Sequence, residues 1–213
     1  MQIKTGKRMR HGNVEAPMQY FIVGLGNPGE AYKDTRHNAG RIVLEYFRKK
    51  HGFSEWEEEK KLKGLIAEGK VGKHKVLLVT PETFMNNSGK SVAPLIKKKA
   101  DLERLIVVYD ELDMPLGKLK ISYNRSSGGH NGLESIIKSV KSPAFARLRV
   151  GISPATPLGK LKKPSGDKAV HDFIIGNFKE RELDVLKKVA KQTNDALEFI
   201  ITEGREKAMG KFN

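Results

Sequence analysis

One histidine stands in a segment whose glycines and asparagines are suited to hold an imidazole near side-chain amides. His37 lies near the end of residues 24–40, which read G-L-G-N-P-G-E-A-Y-K-D-T-R-H-N-A-G. Two later clusters are also polar, F-M-N-N-S-G at 84–89 and S-S-G-G-H-N-G at 126–132, and an acidic segment, Y-D-E-L-D-M-P, occupies 109–115. A histidine, a carboxylate and several carboxamides suit a hydrolytic site that activates water without a covalent nucleophile.

Apolar runs that end at these polar clusters predict the strands that position them. Residues 20–23 are apolar and are stopped by glycine, and the apolar run 105–109 precedes Asp110. Asp110 is therefore predicted at the carboxyl end of a central strand, where the sites of α/β sheets collect. Residues 38–51 carry apolar residues at helical spacing, which places His37 at or just before a helix N-terminus. We expect the helix dipole there to keep the imidazole neutral, as a general base must be.

The polar residues of these segments also have structural interpretations. Glu111 and Asp113 are competing carboxylates, and each acidic side chain could simply cap the turn before Met114 and Pro115. The asparagines of the two later clusters each precede a predicted helix and could be turn or N-cap residues.

The order of elements predicts the fold class. Strand–helix alternation is mixed with adjacent strands, which predicts an α/β fold, a single domain with a mixed twisted β-sheet covered by helices on both faces. Residues 154–168, rich in proline, glycine and lysine, predict a mobile basic loop. Besides the segments above, strands are predicted at 65–67, 75–80, 119–123 and 146–152, and helices at 91–99, 133–140 and 180–203.

Charge and composition narrow the function. The 213 residues include 40 Lys and Arg against 25 Asp and Glu, a net charge of +15, which favours a polyanion such as nucleic acid over a merely solubilising surface. Cysteine is absent, which excludes disulfides and thiolate chemistry and fits a reducing cytosol. No apolar run reaches the length of a membrane span. Residues 1–18 lack the apolar core of a secretory signal and the serines of a transit peptide, so we expect a disordered N-terminal extension before a domain at 19–213.

Three other site classes are disfavoured. The loop at 24–29 satisfies G-x-G-x-x-G, but Pro28 removes a backbone donor, and the acidic residue that a dinucleotide site needs about 20 positions further on is absent. None of the six histidines has the spacing of a zinc motif, so no metal is expected. No G-x-S-x-G elbow for a serine nucleophile occurs.

In this order, the motifs resemble those of bacterial peptidyl-tRNA hydrolases. The resemblance runs from about Tyr20 to near the C-terminus, through G-L-G-N-P-G…T-R-H-N-A-G, T-F-M-N-N-S-G, D-E-L-D-M-P-L-G, G-G-H-N-G-L and R-L-R-V-G-I. It implies an enzyme with one mixed α/β domain that hydrolyses the ester between peptide and tRNA, without metal or cofactor. It further implies a cytoplasmic monomer whose partner is peptidyl-tRNA, bound through its acceptor stem and 3′ end.

The same resemblance implies roles for individual residues. His37 falls at the general base, Asp110 at the carboxylate that orients it, and Asn27 at the position that reads the first peptide bond. We further assign the side-chain amide of Asn86 as the oxyanion donor, an inference from the chemistry of ester hydrolysis. Positions that bind tRNA or substrate are matched by Tyr32, Phe84, Asn86 and Asn131, with Met85 and His130 flanking the cleft and Arg149, Lys118 and Lys120 on a basic patch.

The chain departs from the family pattern in three places, the extension before Tyr20, Tyr109 in front of the key aspartate, and the loop residues 124–127. These departures affect substrate affinity more than chemistry, because none removes a motif residue. A catalytically idle RNA-binding relative is the rival interpretation, and a nucleotide-dependent oxidoreductase is the third. The presence of both His37 and Asp110 favours the enzyme.

Overall fold

A single mixed sheet runs through the part of the chain that the structure, a computed structural model, describes, residues 16–213. Its seven strands are ordered β2-β3-β4-β1-β5-β7-β6. The four central strands β4, β1, β5 and β7 are parallel to their neighbours in that group, whereas β2, β3 and β6 are antiparallel additions at the two edges. The strands are β1 (Gln19–Gly24), β2 (Glu57–Glu59), β3 (Gly64–Val71), β4 (His74–Pro81), β5 (Leu105–Pro115), β6 (Leu119–Tyr123) and β7 (Ala146–Ser153).

Helices cover both faces of this sheet, as the sequence predicts. One buried cluster holds apolar residues of α1, α6 and α7, and the other holds residues of α2, α3 and α4. Because both faces of the central strands are buried, these strands read as continuous apolar runs instead of alternating patterns. The helices are α1 (Ala39–His51), α2 (Gly89–Val92), α3 (Lys99–Leu102), α4 (Asn131–Val140), α5 (Asp167–Ile175), α6 (Glu180–Glu203) and α7 (Arg205–Phe212).

Three predicted elements are wrong in extent. The strand predicted at 65–67 runs over Gly64–Val71. The helix predicted at 91–99 is broken, because Pro94 has no backbone N–H to continue it, and a 3-10 turn Ala93–Leu95 separates α2 from α3. Strand β5 does not end at Asp110 but continues to Pro115, since Asp110 and Glu111 still pair with β7. The sequence analysis also missed the short edge strand β2 and the helices α5 and α7.

The predicted N-terminal extension falls mostly on residues 1–15, which lie outside the described residues. Met18 is already attached to the domain, since its N–H donates to His74 Nδ1 at 3.2 Å and its carbonyl accepts from the Lys75 N–H. None of the helices between residues 16 and 213 has the length and apolar character needed to cross a bilayer.

Candidate active site

Asp110 lies in the part of β5 that extends beyond the end of its neighbour β1. Pairing between β1 and β5 ends at Gly24 and Val108, while β5 continues beside β7 with Asp110 opposite Val150. The carboxylate therefore lies beyond the end of β1, in a cleft of about 520 Å³, although it belongs to the middle of a strand. Asp110 is 3% exposed.

His37 meets Asp110 because the start of α1 packs against the sheet at a glycine. His37 lies in a 3-10 turn, Arg36–Asn38, directly before α1, as predicted. A Cβ on Gly40 would lie 2.3 Å from the carbonyl oxygen of Val108, so no larger residue allows this approach. The Nδ1 atom of His37 lies 3.0 Å from both carboxylate oxygens of Asp110. An ionised carboxylate only accepts, so Nδ1 carries the proton and Nε2 keeps the lone pair of a base.

The contact between His37 and Asp110 shifts the pKa of both groups. Burial lowers the pKa of His37, but the charge and hydrogen bond of Asp110 raise it, and the net direction is upward from 6.5. This direction is opposite to the helix-dipole expectation, because the charge and the hydrogen bond of Asp110 together outweigh burial. Burial favours the neutral acid of Asp110, yet the charges and hydrogen bonds of His37 and His130 hold its pKa well below the usual range.

His130 is a second imidazole on the same carboxylate, with its tautomer fixed by α4. Its Nδ1 caps the helix by accepting from the N–H groups of Gly132 and Leu133, at 3.2 and 3.3 Å. The ring proton is therefore on Nε2, which donates to Asp110 Oδ1 at 3.0 Å. His37, Asp110 and His130 are spaced closely enough to hold a metal ion, but a protonated Nε2 has no lone pair to coordinate it.

Asn27 is held by Asn38 and Met85, and it is not among the residues that line the cleft. Its backbone N–H and C=O bond the Asn38 carboxamide, at 2.7 and 2.9 Å. Its side-chain oxygen accepts from the N–H of Met85 at 2.8 Å. Because that oxygen is already engaged with a donor, the group that Asn27 can offer is its Nδ2 donor.

The other predicted residues fall into two groups. Asn131 and His130 line the cleft with His37 and Asp110. Tyr32 and Phe84 form an edge-to-face pair with ring centroids 6.2 Å apart, and Phe84 is 57% exposed. Met85 is buried against the start of α4, since a Cβ on Gly132 would lie 2.5 Å from its sulfur, and Asn86 is an exposed residue of the same 3-10 turn.

Three carboxylates are candidates, Asp110, Glu111 and Asp113. Within residues 16–213, Asp110 is the one of the three that contacts a histidine. Glu111 pairs with Arg149 at 2.9 Å, and Asp113 pairs with Lys163. Arg149 borders a second depression of about 440 Å³, which shares Tyr109, Glu111, Ser127 and Gly128 with the cleft. We call this second depression the basic depression, because Lys120, Arg125 and Arg147 also line it.

Sequence reasoning missed several site residues. Asn38 directly follows His37 in the motif, which is the signal that could have identified it. Helix α5 contributes Val170, His171 and Ile174 to the cleft, but its pattern is short and follows a run rich in proline and glycine. Its apolar residues Val170, Phe173 and Ile174 have helical spacing, but they span barely more than one turn and none is fully buried.

Comparisons with known proteins agree with this architecture. The family model described as peptidyl-tRNA hydrolase matches residues 21–213. A peptidyl-tRNA hydrolase from Carboxydothermus hydrogenoformans is 41% identical over 196 residues, covering 91% of this chain and 98% of that protein. One from Citrifermentans bemidjiense is 43% identical over 194 residues, covering 91% and 97%.

A solved structure gives the same result for the fold. The crystal structure of peptidyl-tRNA hydrolase from Acinetobacter baumannii superposes with a TM-score of 0.80 at 32% identity, covering 91% of this chain and 94% of that one. The expected fold class is confirmed by this likeness and by the mixed sheet.

Proposed function

This chain belongs to the peptidyl-tRNA hydrolase family, and from that premise we propose that it hydrolyses the ester of peptidyl-tRNA with His37 as general base and Asp110 orienting it. The observation that carries the proposal is the contact of His37 Nδ1 with both oxygens of Asp110, at 3.0 Å. That contact leaves Nε2 as the free basic atom of a buried ring beside an open cleft.

The reaction proceeds by attack of water on the ester carbonyl. His37 Nε2 takes a proton from water as its oxygen bonds the carbonyl carbon, and the carbonyl oxygen becomes an oxyanion. The Nδ2 group of Asn86 donates to that oxyanion. Collapse breaks the bond to the ribose oxygen, which takes the proton back from the imidazolium, giving a peptide acid and free tRNA. Asp110 stabilises the imidazolium between these two proton transfers.

Asn27 selects a substrate whose α-amino group is acylated. Its amide oxygen is occupied by the N–H of Met85, so its Nδ2 donor is free to meet a carbonyl. The first peptide bond of peptidyl-tRNA offers that carbonyl, whereas aminoacyl-tRNA offers an ammonium that carries only donors. Two donors facing each other are left unpaired, which disfavours the aminoacyl form.

The tRNA is bound by residues around the cleft. The exposed pair Tyr32 and Phe84 provides aromatic faces for a base of the single-stranded 3′ end. The basic depression beside Arg149 accepts phosphates of the acceptor stem, and Asn131 and His130 border the ester between these two regions. We place the enzyme in the cytoplasm as a monomer, as the family resemblance implies. The reaction needs no metal, because one base, one water and one oxyanion donor suffice for an ester.

The two rival interpretations lack support in the site. An idle RNA-binding relative has no need of a buried His–Asp pair. A dinucleotide site needs a helix directly after the glycine loop, whereas here a three-residue 3-10 turn, Glu30–Tyr32, follows it.

His37→Ala tests the proposal. We expect kcat for N-acetylaminoacyl-tRNA to fall about 10²–10⁴-fold, because a general base acts mainly in the transition state. Binding of tRNA should stay nearly intact. His171→Ala is the matched control, since His171 lines the same cleft without contacting Asp110. A variant at His37 that kept more than about a tenth of kcat would assign the base elsewhere.

A further inference from the structure

A groove runs along the outer face of α1, apart from the cleft and the basic depression. It has a volume of about 430 Å³ and lies between α1 and the strands β3 and β4. The residues that α1 contributes recur at helical spacing, so they form one continuous stripe along the helix. The groove is bordered by Asn38, Ile42, Tyr46, Lys49, Trp56 and Thr80 among others, and we call it the α1 groove.

We propose that the α1 groove binds the peptide of peptidyl-tRNA upstream of its first peptide bond, an inference that rests on the proposed function. The groove begins at the residue that holds Asn27. The carboxamide of Asn38 bonds both backbone groups of Asn27, so the start of the groove lies directly behind the loop that reads the first peptide bond. Gly29, two residues after Asn27, is exposed and has no atom within 4 Å of a Cβ position, so there is room for a peptide to pass over it.

The charges around the groove favour a peptide over RNA. Each cation on its rim already has a carboxylate partner, Glu30 for Lys33, Glu82 for Arg41, and Glu45 for Lys49. Such pairs leave little positive potential for phosphates, in contrast to the basic depression. The floor is formed by apolar and aromatic side chains, Ile42, Leu65, Tyr46 and Trp56.

Length and polarity also fit an extended chain. The stripe from Asn38 to Lys49 spans eleven helical steps, about 17 Å, which matches about five residues of extended peptide. The hydroxyl of Thr80 is buried beside the groove and has no hydrogen-bond partner within the described chain. A peptide backbone offers both donors and acceptors to such a group.

Trp56 provides a direct test, because it is the single tryptophan of the chain. Titration of the whole protein with the peptide acid N-acetyl-(Ala-Val)₃ should change Trp56 emission saturably, whereas N-acetylalanine should not. Tyr46→Ala, at a residue 36% exposed, should raise the Kd for the peptide about tenfold, because an aromatic side chain that lines the groove is lost. A response to deacylated tRNA but not to the peptide would assign the groove to RNA and overturn the proposal.

Kinetics separate this inference from the proposed function. Tyr46→Ala should raise KM for a hexapeptidyl-tRNA at least about fivefold more than KM for N-acetylalanyl-tRNA, with kcat little changed. Lys188→Ala, on the neighbouring helix α6, should alter neither value. Equal KM changes for both substrates, or an unresponsive Trp56, would overturn the α1 groove. If the unmodified protein cleaved neither substrate, the proposed function itself would fail.

Discussion

Asp110 is shared by two imidazoles, and the sharing decides what each ring can do. His130 is fixed as an Nε2–H donor by the two N–H groups that its Nδ1 accepts, so it can only stabilise the carboxylate. His37 has its Nδ1 on the carboxylate and its Nε2 free. The buried carboxylate of Asp110 thus leaves His37 with a free basic nitrogen and His130 without one. Both arrangements require Asp110 to be ionised.

Asp110→Asn should lower kcat about 10²-fold and move the acidic limb of the pH–rate profile to lower pH. Asp110 raises the pKa of His37, and burial lowers it. Without the charge, burial remains, so His37 loses its proton at a lower pH but is a weaker and less well oriented base. The measurement is kcat against pH for N-acetylaminoacyl-tRNA.

Asp113→Asn is the control for that profile, because Asp113 pairs with Lys163 and not with a histidine. It should leave the acidic limb in place. An unmoved limb in Asp110→Asn would make Asp110 structural and turn attention to Glu111.

Asn27→Ala should narrow the rate ratio between N-acetylaminoacyl-tRNA and free aminoacyl-tRNA. The variant removes the donor that meets the first peptide carbonyl, and with it the oxygen that accepts from Met85. Asn27→Asp tests the donor alone, because a carboxylate keeps the Met85 contact and favours an ammonium. We expect Asp to shift the ratio further toward aminoacyl-tRNA than Ala does. An unchanged ratio in both variants would move the discrimination to Asn131.

Among the elements, Arg36 connects the 3-10 turn that carries His37 to the helices α5 and α6, which follow the basic loop 154–168. Its guanidinium donates to the carbonyls of Phe173 and Gly176 at the end of α5 and to Glu182 at the start of α6, at 3.4, 3.2 and 2.8 Å. It also stacks over the Phe173 ring, 4.5 Å from its centroid. Helix α5 has no fully buried residue, so these contacts, together with the packing of Phe173 and Ile174 on the core, hold it beside His37.

Arg36→Ala should therefore lower the free energy of unfolding by about 3 kcal/mol, because it leaves a partly buried carboxylate unpaired. Amide exchange along α5 should accelerate before exchange in the sheet does. Urea unfolding and hydrogen exchange measure both effects, with Lys33→Ala as the control at an exposed ion pair. Unchanged exchange in α5 would mean that other contacts hold this helix.

The elements that the sequence predicts well are those whose burial leaves a long, regular pattern. The bounds of α6 agree with the predicted 180–203, and β6 is the antiparallel edge strand that its alternation indicates. Helix α5 has only nine residues and follows a run rich in proline and glycine, so its apolar pattern is too short to stand out, which is why it escaped prediction. Within the site, sequence motifs predict His37 and Asp110. The role of His130 in capping α4 while it contacts Asp110 depends on the packing of α4 beside β5, which no motif shows.

In the whole molecule, the exposed positive charges lie apart from the buried pair of His37 and Asp110. The net charge is +15, yet the carboxylate of Asp110 and the imidazoles of His37 and His130 are largely buried, and the cations of the α1 groove are paired with carboxylates. Lys120 is exposed and lines the basic depression, and Lys118, two residues before it, is also exposed. Because of this arrangement, the exposed lysines can attract tRNA over a long range without altering the pKa of the proposed His37–Asp110 pair.

The consequence is that salt should act on affinity and leave the chemical step alone. KM for full-length peptidyl-tRNA should rise steeply with salt while kcat changes little, because log affinity falls by about 0.9 per log unit of salt for each phosphate neutralised. A minimal ester with only the 3′-terminal nucleotides should be nearly insensitive. Lys120→Glu should flatten the slope by about one unit. Lys191→Glu, the same charge change on α6 away from the basic depression, should not. Equal slopes for full-length tRNA and minimal ester would reduce the basic surface to a solubilising one.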